Sequence, residues 1–109
     1  MLEYLSPVER SDWTDQTWGG QKVLWAVDPA WRGPVLVRGR RLDAPGELAF
    51  EDPAQPELWL NTGFYQGRSG GWKDNPSFTR VRAPGCYAYQ IDTDRGTWSI
   101  IFTARGPVV

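Results

Sequence analysis

Four arginines stand in two pairs that could bind an anionic group. Arg38 and Arg40 lie in one predicted strand, and Arg80 and Arg82 lie in another. A guanidinium presents a planar fork of N–H donors that matches a carboxylate or a phosphate bidentately. If the two strands lie side by side, the four side chains form a cationic stripe that binds such groups. The alternative is a solvated outer face whose charge is balanced by acidic residues.

A second candidate site combines aromatic rings with a Gly-rich segment, residues 62–76. The aromatic residues that bracket this segment are Trp59, Phe64, Tyr65 and Trp72. Flat rings beside amide and carboxylate groups suit a sugar or a peptide, because one surface then offers apolar contact and hydrogen bonds together. The same rings could instead cover the open end of a β-sandwich. Two further tryptophans, Trp25 and Trp98, stand in predicted strands and are expected in the core.

The residue types that catalysis uses most are scarce. The chain has no histidine, the commonest general base, and this excludes Ser-His-Asp chemistry. Cys86 is the only cysteine, and without a base to activate it we expect a structural role. Residues 92–96 (DTDRG) have the outline of a calcium loop but lack its bidentate Glu, so a hairpin turn is preferred. Paired carboxylates could still support a small hydrolase. Our leading interpretation has no catalytic residue, metal or cofactor.

The length and net charge of the chain exclude further classes of protein. The chain has 109 residues and a formal net charge of −1, which indicates one domain without the basic excess of a nucleic-acid binder. The longest stretch without a charged residue is 58–67, which is too short and too polar for a transmembrane segment. Residues 1–10 contain no secretory signal, so the sequence by itself leaves the compartment open.

Short runs of apolar or alternating residues predict an all-β fold. Gly and Pro, 12 and 9 in number, fall mostly between these runs, and no convincing amphipathic helix is found. The predicted strands are residues 22–27, 34–41, 47–50, 57–61, 77–82, 86–92 and 97–104. About seven short antiparallel strands indicate a β-sandwich over residues 22–109. Residues 1–21 are expected to form an irregular arm packed by Trp13 and Trp18.

The last two predicted strands form the most specific pattern. Asp94-Arg95-Gly96 predicts a tight hairpin with Gly at the positive-φ position. The preceding Pro84-Gly85 turn and Tyr87 resemble the closing hairpin of bacterial immunoglobulin-like domains. That resemblance implies a structural corner at Pro84 and Gly85, anchored by a hydrogen bond from the Tyr87 hydroxyl to upstream backbone.

A closer resemblance adds earlier blocks of sequence. The blocks read GPVLVRGRRLD at 33–43, GWKDNPSFTRVR at 71–82 and RAPGCYAYQID at 82–92. Together they resemble a group of uncharacterised bacterial proteins that are typically predicted to be exported. The resemblance spans about residues 25–104 and implies an immunoglobulin-like β-sandwich in an extracytoplasmic location, with a cytoplasmic one as the alternative. It implies no activity.

These observations favour a non-catalytic, tryptophan-rich binding or interaction module of unknown ligand. One alternative is a carbohydrate-binding accessory module that uses the loop aromatics. Another is a structural domain that assembles with itself or docks a partner through exposed strand edges. The partner itself is unknown from the sequence; a glycan and another protein are the candidates, and a nucleic acid is not expected.

Overall fold

The chain folds into two β-sheets that meet across a shared aromatic core. The computed structural model describes residues 1–7, 9–10, 12–60 and 72–106, and these form eight strands. The strands are β1 (Leu2–Glu3), β2 (Gly19–Val27), β3 (Val35–Arg41), β4 (Ala49–Phe50), β5 (Leu58–Leu60), β6 (Lys73–Val81), β7 (Gly85–Thr93) and β8 (Gly96–Arg105). Sheet A has the order β1-β8-β7-β3-β5, and sheet B has the order β2-β6-β4. The predicted all-β class is confirmed.

The described residues contain no helix, and so none long and apolar enough to cross a membrane. Each of the seven predicted runs overlaps an observed strand, and β1 is additional. β6 begins at Lys73, inside the stretch expected to be loop, because it pairs with β2 along its whole length. Pro76 is tolerated there, since β4 pairs only with Thr79 and Arg80 and leaves the rest of that edge open.

Tyr89 of β7 joins the two sheets at the centre of the core. Its hydroxyl lies 2.8 Å from the Thr79 hydroxyl of sheet B, and burial raises its pKa. Its ring contacts Trp25 of β2 edge-on, at 4.9 Å between centroids, and stacks on Phe102 of β8 at 4.5 Å. Phe50 of β4 also stacks on it, at 6.3 Å between centroids. These contacts fix how sheet B sits on sheet A.

Gly39 of β3 makes room for this packing. It is paired with Tyr89, and the Leu48 side chain lies directly over it. A Cβ atom at this position would come within 2.5 Å of Leu48 Cδ2 and 2.4 Å of the Ala88 carbonyl oxygen. A larger residue would therefore push β3 away from the core.

The N-terminal segment joins the two sheets at one end of the molecule. β1 pairs in parallel with β8, with Leu2 opposite Ala104, and Leu5 forms an antiparallel bridge with Gly20 of β2. The segment expected to be an irregular arm thus contributes a strand, and β2 begins within it at Gly19. Beyond Leu5 no described strand continues this link between β2 and β8.

Candidate functional site

The outer side of β8 is an open strand edge over most of its length. β7 pairs with Gly96 to Ala104, whereas β1 covers only Ala104 and Arg105. The Arg105 carbonyl accepts a hydrogen bond from Tyr4 N (3.1 Å), so it points towards the β1 side. Carbonyl directions alternate along a strand, so the odd-numbered residues Thr97, Ser99 and Ile101 also direct their N–H and C=O groups to that side. Within the described part of the chain no strand receives them.

The same strand presents apolar side chains on both of its faces. Trp98 is 52% exposed, Ile100 48% and Ile101 67%. No charged residue or proline occurs from Gly96 to Ala104, and the pairing with β7 contains no bulge. Natural edge strands are usually protected from pairing with other chains by charges, prolines or bulges. This edge has none of these protections.

An apolar cleft lies between the end of β2 and the facing ends of β3, β5, β7 and β8, at the end of the sandwich remote from β1. Its volume is about 220 Å³. The residues that form its walls include Trp25, Val27, Trp31, Val35, Ile91 and Trp98. The indole N–H groups of Trp25 and Trp31 are buried and have no acceptor among the residues that the structure describes. The apolar walls of the cleft suit an apolar side chain.

Trp31 is held in the cleft wall by contacts from three directions. Its backbone N–H donates to the Asp28 carbonyl (2.9 Å), and its own carbonyl accepts from the Lys73 ammonium (2.7 Å). The Arg95 guanidinium of the β7–β8 hairpin lies over its ring at 5.0 Å. Burial, and then repulsion from Arg32, lowers the pKa of Lys73. The wall is thus tied both to sheet B and to the hairpin that begins β8.

The hairpin and the corner before it position β8. Thr93 pairs with Gly96, which has φ of +149°, so the predicted Asp94-Arg95-Gly96 hairpin with positive φ at Gly is present. Upstream, the Tyr87 hydroxyl donates to the Ala83 carbonyl (2.7 Å), which is the backbone bond expected from the sequence. The Pro84 carbonyl accepts from Arg41 of β3, and the Arg41 side chain lies against Gly85. The half-buried Cys86 follows this corner as a free thiol.

Arg38 and Arg40 lie on the outer face of sheet A. They line a shallow groove of about 570 Å³ together with Gln90 and Ile101. Arg38 forms an ion pair with Asp92 (2.8 Å). Hydrogen bonds from Gln90, and further ones from Thr97 and Arg38, lower the pKa of Asp92. The charge of Arg38 is therefore balanced within the sheet.

Arg80 lies in β6 of sheet B and Arg82 directly follows that strand, apart from the other pair. Arg80 is fully buried, and its guanidinium stacks on the Trp13 ring at 4.1 Å. The carbonyl oxygens that accept its hydrogen bonds belong to Asp15, Trp18, Gly19 and Glu51. Arg82 lies over the Trp18 ring. Because β3 and β6 belong to different sheets, the four arginines do not form one stripe, and Arg80 is enclosed by the protein itself.

The aromatic candidates are likewise divided. Trp59 is 60% exposed on β5 of sheet A, whereas Trp72 is exposed just before β6 of sheet B. Phe64 and Tyr65 lie outside the described residues. The stacking site formed by these four residues therefore stays a prediction.

Trp98 is the site residue that sequence reasoning missed. Its alternation with Ile100 and Phe102 indicated a core position, and all three do share the inner face with Tyr87, Tyr89 and Ile91. Sheet B does not cover Trp98 and Ile100, however, and of the three residues only Phe102 is well packed. The absence of charge from Gly96 to Ala104 was the available signal.

Comparison with known proteins adds no relative. No protein-family model matches the chain, and no curated protein or solved structure matches it. Among the described residues no group of three or more Cys, Asp or Glu side chains is arranged to hold a metal ion. The resemblance to exported bacterial proteins therefore stays a prediction.

Proposed function

We propose that this domain is a non-catalytic interaction module that binds an extended chain segment as an additional strand beside β8. The supporting observation is the uncharged, unbulged edge from Gly96 to Thr103, with the backbone groups of Thr97, Ser99 and Ile101 directed outwards. In β-strand addition, main-chain hydrogen bonds provide affinity and pockets for alternate side chains provide specificity. The edge supplies the first of these.

The half-exposed inner face of β8, at the rim of the apolar cleft, supplies the second. A strand beside β8 would direct every other side chain to the inner face, where Trp98 and Ile100 are half exposed. Side chains at that face would lie beside Trp98, which forms part of the wall of the cleft. A Val, Ile or aromatic side chain fits this apolar environment, whereas a charged side chain would lose its hydration without gaining a partner. The ligand class is thus an uncharged, apolar β-strand.

We also infer an immunoglobulin-like arrangement of the strands. In that fold one sheet contains strands B, E and D and the other contains C, F and G. β2, β6 and β4 correspond to the first set, and β3, β7 and β8 to the second. The Tyr87 bond to Ala83 agrees with a tyrosine corner at the start of strand F. One departure is that β4 precedes β5 along the chain, so the connection between C and E differs.

A proline at position 99 tests the proposed binding mode. The Ser99 N–H faces the open edge, so Ser99→Pro removes no hydrogen bond to β7, and prolines are tolerated on edge strands. The probe is a capped peptide of alternating valine and threonine residues, as long as the open edge, carrying a fluorescent label. Loss of the hydrogen bond from the N–H of residue 99, worth about 1 kcal/mol, should weaken binding by about fivefold in fluorescence anisotropy.

Ser99→Ala is the matched control, because it removes the same hydroxyl and keeps the N–H. It should bind the probe like the wild type, while a probe with alternate N-methylated amides should not bind. Equal affinity of Ser99→Pro and Ser99→Ala would contradict strand addition at β8.

A further inference from the structure

We propose that the strand bound by β8 is β8 of a second copy of this chain, in antiparallel orientation. This inference rests on the proposed function and names its partner. Three features of β8 support it. The position of β1 limits the pairing register, the facing side chains of the two copies are complementary, and the strand has no charged residue.

The position of β1 limits the register. Two antiparallel copies exchange hydrogen bonds only between residues whose backbone groups face outwards, which are the odd-numbered ones. Placing Ser99 opposite Ser99 of the second copy pairs Thr97 with Ile101 in both directions. A shift of two residues would bring Thr97 of the second copy beside Thr103, where Met1 precedes the β1 pairing at Ala104. The Ser99-centred register is the longest that avoids this collision.

In this register the side chains of β8 match those of its own copy. On the inner face Trp98 lies opposite Ile100 of the second copy, so the two half-exposed apolar residues cover each other. On the outer face Ile101 lies opposite Thr97, and the two Ser99 side chains meet at the two-fold axis. Cross-strand aromatic and β-branched pairs of this kind stabilise antiparallel sheets.

Charge also favours self-pairing. Gly96 to Ala104 has no charged residue, so no like charges oppose each other along the shared edge. At each end the hairpin residues Asp94 and Arg95 of one copy approach the Glu3–Arg105 ion pair of the other, so both signs are present on both sides. A two-fold contact uses the same edge of each copy and is complete with two chains.

Engineered cysteines test both the contact and its register. In a Cys86→Ser background, Ser99→Cys places two thiols on facing residues about 5.5 Å apart between Cα atoms, which a disulfide spans. The control is Thr97→Cys, on the same face of the same strand. Its two thiols would lie roughly 13 Å apart along the strands and should not react. Under mild oxidation we expect covalent dimers from Ser99→Cys and monomers from Thr97→Cys.

Equal cross-linking of the two variants, or none of either, would overturn the proposed pairing. Sedimentation of the untagged chain gives an independent readout: mass should rise with concentration for wild type and Ser99→Ala, and stay monomeric for Ser99→Pro. A wild type that remains monomeric at every concentration but binds the valine–threonine probe rejects the second copy and retains the proposed function. A wild type that does neither rejects both.

Discussion

At the scale of single residues, Asp52 and Arg80 hold the N-terminal arm on sheet B. The Asp52 carboxylate accepts hydrogen bonds from Thr14 N (2.8 Å), Thr14 Oγ1 (2.9 Å) and Asp15 N (2.9 Å). The Arg80 guanidinium donates to the Asp15 carbonyl, and its Nη1 lies 3.5 Å from Asp52 Oδ1. The backbone N–H groups of Asp15 and Thr14 lower the pKa of Asp52 to about 2. The arm that carries β1 is thus attached through a carboxylate that stays charged.

This attachment predicts an acid dependence of stability. Because the folded pKa of Asp52 is below its ordinary value of 3.8, its contribution is complete above that value and is lost as pH falls towards 2. Asp52→Asn should lower the free energy of unfolding by about 1–2 kcal/mol at neutral pH. The difference from wild type should shrink near pH 2. Urea denaturation followed by tryptophan fluorescence measures it.

The control for loss of one negative charge is Glu57→Gln, at an exposed position. It should leave the free energy of unfolding nearly unchanged at both pH values. A difference between Asp52→Asn and wild type that is the same at both pH values would argue against a charged attachment of the arm.

Residue roles were predictable where their partners are near in sequence. Tyr87 bonds to Ala83, and the Pro-Gly turn between them is a local signal. Arg80, by contrast, donates to the carbonyl oxygens of Gly19 and Asp15. These residues precede it by 61 and 65 positions, in a segment whose sequence shows no secondary-structure pattern. No local rule connects these positions, so the sequence alone left Arg80 as a candidate for an external anion.

At the scale of the strand, burial falls from one end of the inner face of β8 to the other. Phe102 stacks on both Tyr87 and Tyr89, whereas Trp98 is half exposed beside the cleft. Phe102→Thr should therefore lower the free energy of unfolding by about 2 kcal/mol or more, and Trp98→Thr by about 1 kcal/mol or less. Trp98→Thr should still lose affinity for the valine–threonine probe. Thermal unfolding and probe anisotropy, measured on both variants, separate the two effects.

A large loss of stability in Trp98→Thr would instead show that Trp98 is a core residue, as the alternation of apolar residues in this strand indicated. The alternation predicted the correct face for β8, and the turn residues predicted its beginning to within one residue. Which strands lie at sheet edges depends on long-range pairing, such as that of β1 with β8. The alternation of apolar residues and the turn-forming residues carry no information about such pairing. The exposure of side chains along β8 therefore could not be predicted.

At the scale of the whole molecule, the N-terminal segment joins sheets A and B at one end only. Leu2 pairs beside β8 and Leu5 bridges to β2, and the cleft lies at the far end of the same two strands. A strand bound along β8 would continue the line that β1 begins. In the proposed binding mode, an added chain would extend sheet A and shield the apolar inner face of β8.

Amide hydrogen exchange of β8, with and without the valine–threonine probe, tests the central claim most directly. The N–H groups of Trp98, Ile100 and Phe102 bond to β7 and should exchange slowly in both samples. Those of Thr97, Ser99 and Ile101 face the open edge, and we expect their exchange in dilute protein to be fast and to become slow when the probe binds. Probe binding that leaves these three amides fast, with new protection on β2 or β5 instead, would contradict the account.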